Sequence, residues 1–77
     1  MGESHFRKPT ETAEGTVKSF DDGTGNGIIA RQGDTDVFVN RSAIRGDGLR
    51  TLVLGARVRV EVMEGPNGPR AASLRRI

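Results

Sequence analysis

The stretch Asp36-Val37-Phe38-Val39-Asn40 has the clearest structural pattern in this chain of 77 residues. Its two valines alternate with polar or aromatic neighbours, and a period of two is typical of a β-strand with one buried face. The segment 57–62 alternates in the same way, with a valine at every second position. These two segments predict an all-β fold in which Phe38 lies on the face opposite Val37 and Val39.

Three further strands are predicted around these two. The first opens at Val17 and includes Phe20, the second covers 27–31, and the last covers 70–77. Clusters of Gly, Pro, Asp and Asn separate the segments, as expected for turns between short strands. The chain is therefore expected to form five short strands, three before a long connection and two after it.

This number and spacing of strands favour a small, closed, five-stranded antiparallel β-barrel of the oligonucleotide-binding type. The long connection is expected to begin with one helical turn over 42–44, with Ser42 as its N-cap. The predicted core consists of the inward-facing residues Val17, Ile29, Val37, Val39, Ile44, Val58, Val60, Val62 and Leu74. A core of this size gives an expected stability of only a few kcal/mol, as in most domains below ~70–80 residues.

The first fourteen residues have a different character from the rest of the chain. They are polar, include Pro9 and show no periodicity, which predicts a flexible N-terminal arm. The length of the chain leaves room for one small domain. The predicted organisation is an arm over 1–14 followed by a single domain over 15–77.

Composition excludes several classes of site. The chain has no Cys, which excludes a disulfide framework and a thiolate zinc site, and its only His is His5 in the arm. The aspartates at 21–22 and 34–36 lie in turn segments, so turn chemistry explains them better than metal binding or acid–base catalysis. We predict that the protein is not an enzyme and needs no cofactor or metal. No apolar run is long enough to cross a bilayer, and a cytoplasmic location is expected.

Charge is distributed unevenly along the chain. Twelve Lys and Arg against ten Asp and Glu give a net charge of +2. Residues 41–77 hold eight Arg against three acidic residues, a net of +5, whereas residues 15–40 hold two basic residues against four Asp, a net of −2. A basic C-terminal half favours an anionic partner, with nucleic acid the first candidate. A charge that merely keeps a small domain soluble is the alternative, and composition leaves both open.

Several short motifs follow one another from Gly15 almost to the end of the chain. Residues 15–21 read Gly-Thr-Val-Lys-Ser-Phe-Asp, residues 24–29 read Thr-Gly-Asn-Gly-Ile-Ile, and residues 36–44 read Asp-Val-Phe-Val-Asn-Arg-Ser-Ala-Ile. The later motifs are Asp47-Gly48-Leu49, Leu52-x-x-Gly55-x-x-Val58 and Gly68-Pro69-Arg70-Ala71. In order and spacing they resemble the opening strand, the two ribonucleoprotein motifs, the long loop and the last two strands of the bacterial cold-shock domain. The opening strand of that family reads Gly-x-Val-Lys-Trp-Phe-Asn.

The resemblance implies binding of single-stranded RNA or DNA, because members of the family stack bases on exposed aromatic residues of their first three strands. Most of those positions are not aromatic here: the substituted residues are Ser19, Asn26, Ile28, Asn40, Arg41 and, in the long loop, Leu49. Lys18, Phe20 and Phe38 remain from the family pattern. Each lost stacking platform removes ~1–3 kcal/mol of binding free energy. We therefore expect binding that is weaker and more salt-sensitive than in a typical member of the family.

We therefore predict a single-stranded nucleic-acid-binding protein, acting as an RNA chaperone or as a regulator of transcription or translation, and monomeric. Phe20 and Phe38 are expected to be exposed platforms because their phase is opposite that of the neighbouring valines, and partly buried packing against the core is the alternative for both. The predicted nucleic-acid contacts are Lys18, Phe20, Asn26, Ile28, Phe38, Asn40, Arg41 and Arg45. A second hypothesis remains open, in which the altered face recognises a polypeptide and the domain is a protein-interaction module.

Overall fold

A computed structural model describes residues 11–46 and 50–77 of the chain. Its strands are β1 (Glu11–Asp21), β2 (Asn26–Arg31), β3 (Val37–Asn40), β4 (Arg57–Gly65) and β5 (Gly68–Arg76), with one 3₁₀ turn at Arg41–Ala43. They form a closed barrel in the order β1-β2-β3-β5-β4. The predicted all-β, five-stranded barrel is confirmed. No helix in the part of the chain that the structure describes could cross a membrane.

One seam of the barrel is parallel. The pairs β1–β2, β1–β4, β2–β3 and β4–β5 are antiparallel, whereas β3 meets β5 in parallel, with Phe38 opposite Arg70. The direction of β5 follows from the other pairs, because two antiparallel steps from β1 through β4 make β5 run in the same direction as β1 and β3. This closing seam brings β5 beside the strand that carries Phe38.

The predicted core is confirmed in full. All nine predicted residues are buried, and Ala43, Leu52 and Ala71 join them. Ala13, Phe20 and Ala56 are partly buried and pack against this cluster. The alternation of valines along β3 and β4 places one face of each strand inside the barrel and leaves the other available for contacts.

β1 begins at Glu11, six residues before the predicted start at Val17. Residues 11–14 pair with β4, with Glu11 opposite Val62 and Glu14 opposite Arg59. Strand formation here depends on backbone hydrogen bonds to β4, which is distant in sequence, so the local hydrophobic periodicity does not predict it. These four residues, assigned above to the arm, are therefore part of the barrel. The rest of the predicted arm, residues 1–10, lies outside the described residues.

The 3₁₀ turn has a different cap from the one predicted. Asn40 is the N-cap, with an extended backbone, and its side-chain Oδ1 accepts a hydrogen bond from the backbone N–H of Ser42 at 3.0 Å. The prediction of Ser42 as cap was wrong, because the turn starts one residue earlier than expected and places Ser42 inside it. Asn40 is better placed because it ends β3 and its side chain reaches the first free N–H groups.

We expect Asn40→Ala to lower the free energy of unfolding by about 1 kcal/mol, because it removes the acceptor for the Ser42 N–H. Ser42→Ala is the matched control and should change stability by less than about 0.5 kcal/mol, since its side chain does not cap the turn. Urea denaturation followed by circular dichroism measures both values. Equal losses in the two variants would contradict the assignment of the cap.

Candidate nucleic-acid interface

The outer face of β1, β2 and β3 brings four of the predicted contact residues together. The strand register places Ile28 between Ser19 and Phe38, and Asn26 opposite Asn40 in the next row. Phe38 is 42% exposed and Ile28 is half-buried. We call the outward side chains of these two rows the front face; its central feature is an aromatic ring beside a branched aliphatic side chain.

A groove of about 420 Å³ adjoins the front face. One wall is formed by Ile28 and Phe38, and the other by Pro66 of the β4–β5 turn together with Pro69 and Arg70 at the start of β5. The parallel seam creates this groove, because it sets Arg70 directly opposite Phe38. A flat aromatic ring, two prolines and a guanidinium group form a site that can accept a planar ring with an anionic substituent.

Phe20 differs from its predicted orientation. The register of β1 shifts between Val17 and Ser19, which leaves Lys18 as an extra residue in the strand. After this bulge Phe20 lies opposite Gly27 and packs against the core, half-buried. Its ring stands 2.8 Å from where a Cβ of Gly27 would lie, so only glycine fits there. The expectation of an outward-facing platform at Phe20 was wrong because a bulge reverses the phase of the residues that follow it.

Lys18 lies at the edge of the front face and is engaged in an ion pair. Its Nζ is 2.9 Å from Oδ2 of Asp36, and both side chains are exposed. Asp36 also lines the groove beside Phe38. An exposed ion pair of this kind contributes little to stability, so Lys18 can exchange its partner for another anion at small cost.

Asn26 and Asn40 are linked to each other across β2 and β3. Asn40 Nδ2 donates a hydrogen bond to Asn26 Oδ1 at 2.8 Å, and Asn40 Oδ1 accepts the N–H of Ser42. Asn26 keeps its own amide N–H₂ group at the surface. The pair presents amide N–H donors next to the row that contains Phe38, and amide groups can form hydrogen bonds with the polar edges of bases.

The side chain of Arg41 lies against the turn between β1 and β2. Its backbone N–H donates to the carbonyl of Gly25 at 2.7 Å, and its guanidinium donates to the carbonyl of Asp22. Gly25 has φ of +80°, and a Cβ there would be 2.8 Å from Arg41 Nε. The guanidinium plane is thus held in place beside the front face by a glycine that leaves room for it.

Arg45 is not part of the front face. Its backbone N–H donates to the carbonyl of Leu74, and its guanidinium reaches the carbonyl of Ser42 at 3.5 Å. It lines a second depression of about 300 Å³, together with Asn40, Met63 and Arg70. Arg45 therefore lies in a different depression from Ile28 and Phe38, and Arg70 lines both depressions.

Two arginines of β4 and one of β5 lie on different sides of the barrel. Arg57 and Arg59 each bind one oxygen of the Glu14 carboxylate, at 3.2 and 3.0 Å, on the side of the barrel formed by β1 and β4. Arg70 instead borders the groove next to Phe38. Sequence analysis left Arg70 out of the predicted contacts because only the parallel seam brings it to β3. Within residues 11–46 and 50–77, no three His, Cys, Asp or Glu side chains are placed to hold a metal ion.

Comparison with known proteins agrees with this architecture. The family described as the 'Cold-shock' DNA-binding domain matches residues 13–77. The chain is 48% identical over 61 residues to "Cold shock protein CspA" of Staphylococcus aureus (strain USA300), covering 79% of this chain and 92% of that protein. It is 44% identical over 63 residues to "Cold shock-like protein CspLB" of Listeria monocytogenes, covering 82% of this chain and 96% of that protein.

Proposed function

The chain belongs to the cold-shock domain family, and on that premise we propose that it binds single-stranded nucleic acid through its front face. The observation that carries the proposal is Phe38, an exposed aromatic ring at the centre of that face and beside the groove. Any base can stack on such a ring, since every base has a π-face. The bound strand is held unpaired, which is the action of an RNA chaperone or of a regulator of transcription or translation.

The charged side chains around Phe38 suit a phosphate backbone. Arg70 borders the groove, Arg41 lies beside the turn that follows β1, and Lys18 can turn from Asp36 to a phosphate. Asp21 and Asp22 lie close to the same face and repel phosphates. Binding therefore depends on a few cationic contacts with acidic neighbours, so the affinity falls as salt screens them.

Affinity is expected to be lower than in family members with a complete set of aromatic platforms. Asn26 and Ile28 provide no π-face, and Phe20 packs against the core. Phe38 is left as the main platform of the front face, and each missing stack removes ~1–3 kcal/mol of binding free energy. Nanomolar affinity at physiological salt would contradict this part of the proposal.

Titration with short pyrimidine-rich single strands, as DNA and as RNA, tests the function directly. Amide NMR shifts should centre on Ile28, Phe38 and Arg70, and the apparent affinity should fall from low to physiological salt. Shifts confined to β1 and β4 near Glu14 would contradict the assigned face. No shifts at millimolar strand concentration would contradict nucleic-acid binding and favour a polypeptide partner for the front face.

Ile28→Phe should raise the affinity for single strands by about threefold to tenfold, at the low end of one stacking contact, because the isoleucine already offers apolar surface. The new ring stands next to Phe38 in the same cross-strand row. Ile28→Leu is the matched control, which keeps the apolar surface without the π-face. Fluorescence anisotropy of a labelled strand measures both, and equal affinities for the two variants would contradict stacking at this position.

A further inference from the structure

The dipeptide Asn-Gly occurs twice in the chain, at 26–27 and at 67–68. This dipeptide is chemically reactive, because glycine has no side chain to keep its backbone nitrogen away from the side-chain carbonyl carbon of the preceding asparagine. Attack of that nitrogen closes a succinimide ring and removes the amide of asparagine. The structure places the two identical dipeptides in opposite environments.

Asn26-Gly27 is held inside the sheet. β2 pairs with β1 on one side and with β3 on the other at both residues. A Cβ at Gly27 would lie 2.7 Å from the carbonyl oxygen of Ser19 and 2.8 Å from the ring of Phe20. The Asn26 side chain also accepts a hydrogen bond from Asn40 at 2.8 Å. Ring closure here requires β2 to leave its ladder.

Asn67-Gly68 lies in the two-residue turn between β4 and β5, where Gly65 pairs with Gly68. Asn67 is exposed, and Gly68 has φ of +117° with no atom within 4 Å of where its Cβ would stand, apart from its chain neighbours. Because the exposed Asn67 side chain forms no hydrogen bond or ion pair with the described residues, it can rotate toward the Gly68 nitrogen without displacing a packed group.

We propose that Asn67 is a site of spontaneous deamidation that the fold leaves open, whereas the fold protects Asn26. The Gly68 nitrogen forms a bond to Asn67 Cγ, the bond from Cγ to Nδ2 breaks, and ammonia leaves with the proton of the Gly68 amide. Water then cleaves either carbonyl–nitrogen bond of the succinimide. The products are aspartate or isoaspartate at residue 67, without any oxidation or reduction.

The modification changes the groove beside Phe38, because the turn that carries Asn67 is one of its walls. A carboxylate at residue 67 joins Asp36 on this groove and opposes a phosphate there. Isoaspartate also inserts one backbone atom into a turn that precedes Pro69 and Arg70. Deamidation therefore lowers the affinity for single strands in a one-way covalent step, and this consequence rests on the proposed function.

Timed incubation of the folded protein at mildly alkaline pH, followed by peptide mass mapping with isoaspartate detection, tests the chemistry without any ligand. Asn67 should convert at least about tenfold faster than Asn26, since only Asn26 requires local opening of the sheet. In urea the two rates should converge, because the dipeptides are the same. Equal rates in the folded protein, or conversion at Asn67 in urea alone, would overturn the proposal.

Asn67→Asp reproduces the charge of one product and separates the chemistry from its effect on binding. Its affinity for an oligothymidine should be about threefold lower than that of the neutral variant Asn67→Gln at low salt, and the difference should shrink at high salt. If the unmodified protein binds no strand, the proposed function fails while the mass-mapping result stands. If Asn67→Asp binds as tightly as Asn67→Gln, the effect of deamidation on binding is refuted.

Discussion

Phe38→Ala is expected to lower the affinity for single-stranded nucleic acid by about 1–3 kcal/mol, roughly fivefold to 150-fold. Among the described residues, Phe38 is the one aromatic side chain on the front face, because Phe20 packs against the core. The other apolar side chains that line the groove, those of Ile28, Pro66 and Pro69, offer no π-face on which a base could stack. Fluorescence anisotropy with a labelled oligothymidine measures the loss.

Met63→Ala is the matched control for Phe38→Ala. Met63 is 43% exposed, close to the 42% of Phe38, and it lies on β4 in the second depression, outside the groove that Ile28 and Phe38 line. Its replacement should change the affinity by less than about twofold, in keeping with a position outside the contact. Both variants should keep the circular dichroism spectrum of the folded barrel. Phe38→Ala with unchanged affinity would show that its ring is not a stacking platform.

Leu74→Ala is expected to lower the free energy of unfolding by about 2–5 kcal/mol. Leu74 is fully buried, lies opposite Val60 on β4, and forms a bridge to Ile44 beyond the 3₁₀ turn. Its backbone therefore joins the C-terminal hairpin to the segment that follows β3, and its side chain fills the core beneath them. A small domain has an expected stability of only a few kcal/mol, so we expect this variant to be largely unfolded at physiological temperature.

Circular dichroism at increasing urea concentration measures this loss, since the chain has no Trp or Tyr to report by fluorescence. Val53→Ala is the control: Val53 is 71% exposed in the connection before β4, and its loss should change stability by less than about 0.5 kcal/mol. A urea midpoint for Leu74→Ala close to that of Val53→Ala would contradict the central place of Leu74 in the core.

The core could be predicted from sequence because its signal is local. Val37 and Val39, like the valines of β4, repeat every second residue, and the period of a strand converts that repeat into one buried face. The motifs that resemble those of the cold-shock domain predicted the order of the five strands along the chain. The start of β1 at Glu11 was missed because Glu11 and Glu14 form strand by pairing with β4, and their own side chains do not show it.

The residues of the candidate site were predicted less completely from the sequence than those of the core, and three residues show why. Phe20 has the spacing of an outward residue, but the bulge at Lys18 shifts the register and turns it toward the core. Arg45 was expected at the site from its position after β3, and the 3₁₀ turn carries it to a separate depression. Arg70 was not among the predicted contacts, although the parallel seam places it opposite Phe38.

The sequence by itself determined the all-β class, the nine core residues and the family, since alternation and motif order are properties of neighbouring residues. Only the tertiary structure decided which side chains share a surface: Phe38 with Arg70, and Phe20 with the core. It also decided that Asn67-Gly68 is open while Asn26-Gly27 is enclosed. The physical reason is that bulges, seams and turns depend on hydrogen bonds between strands far apart in sequence, which local periodicity does not contain.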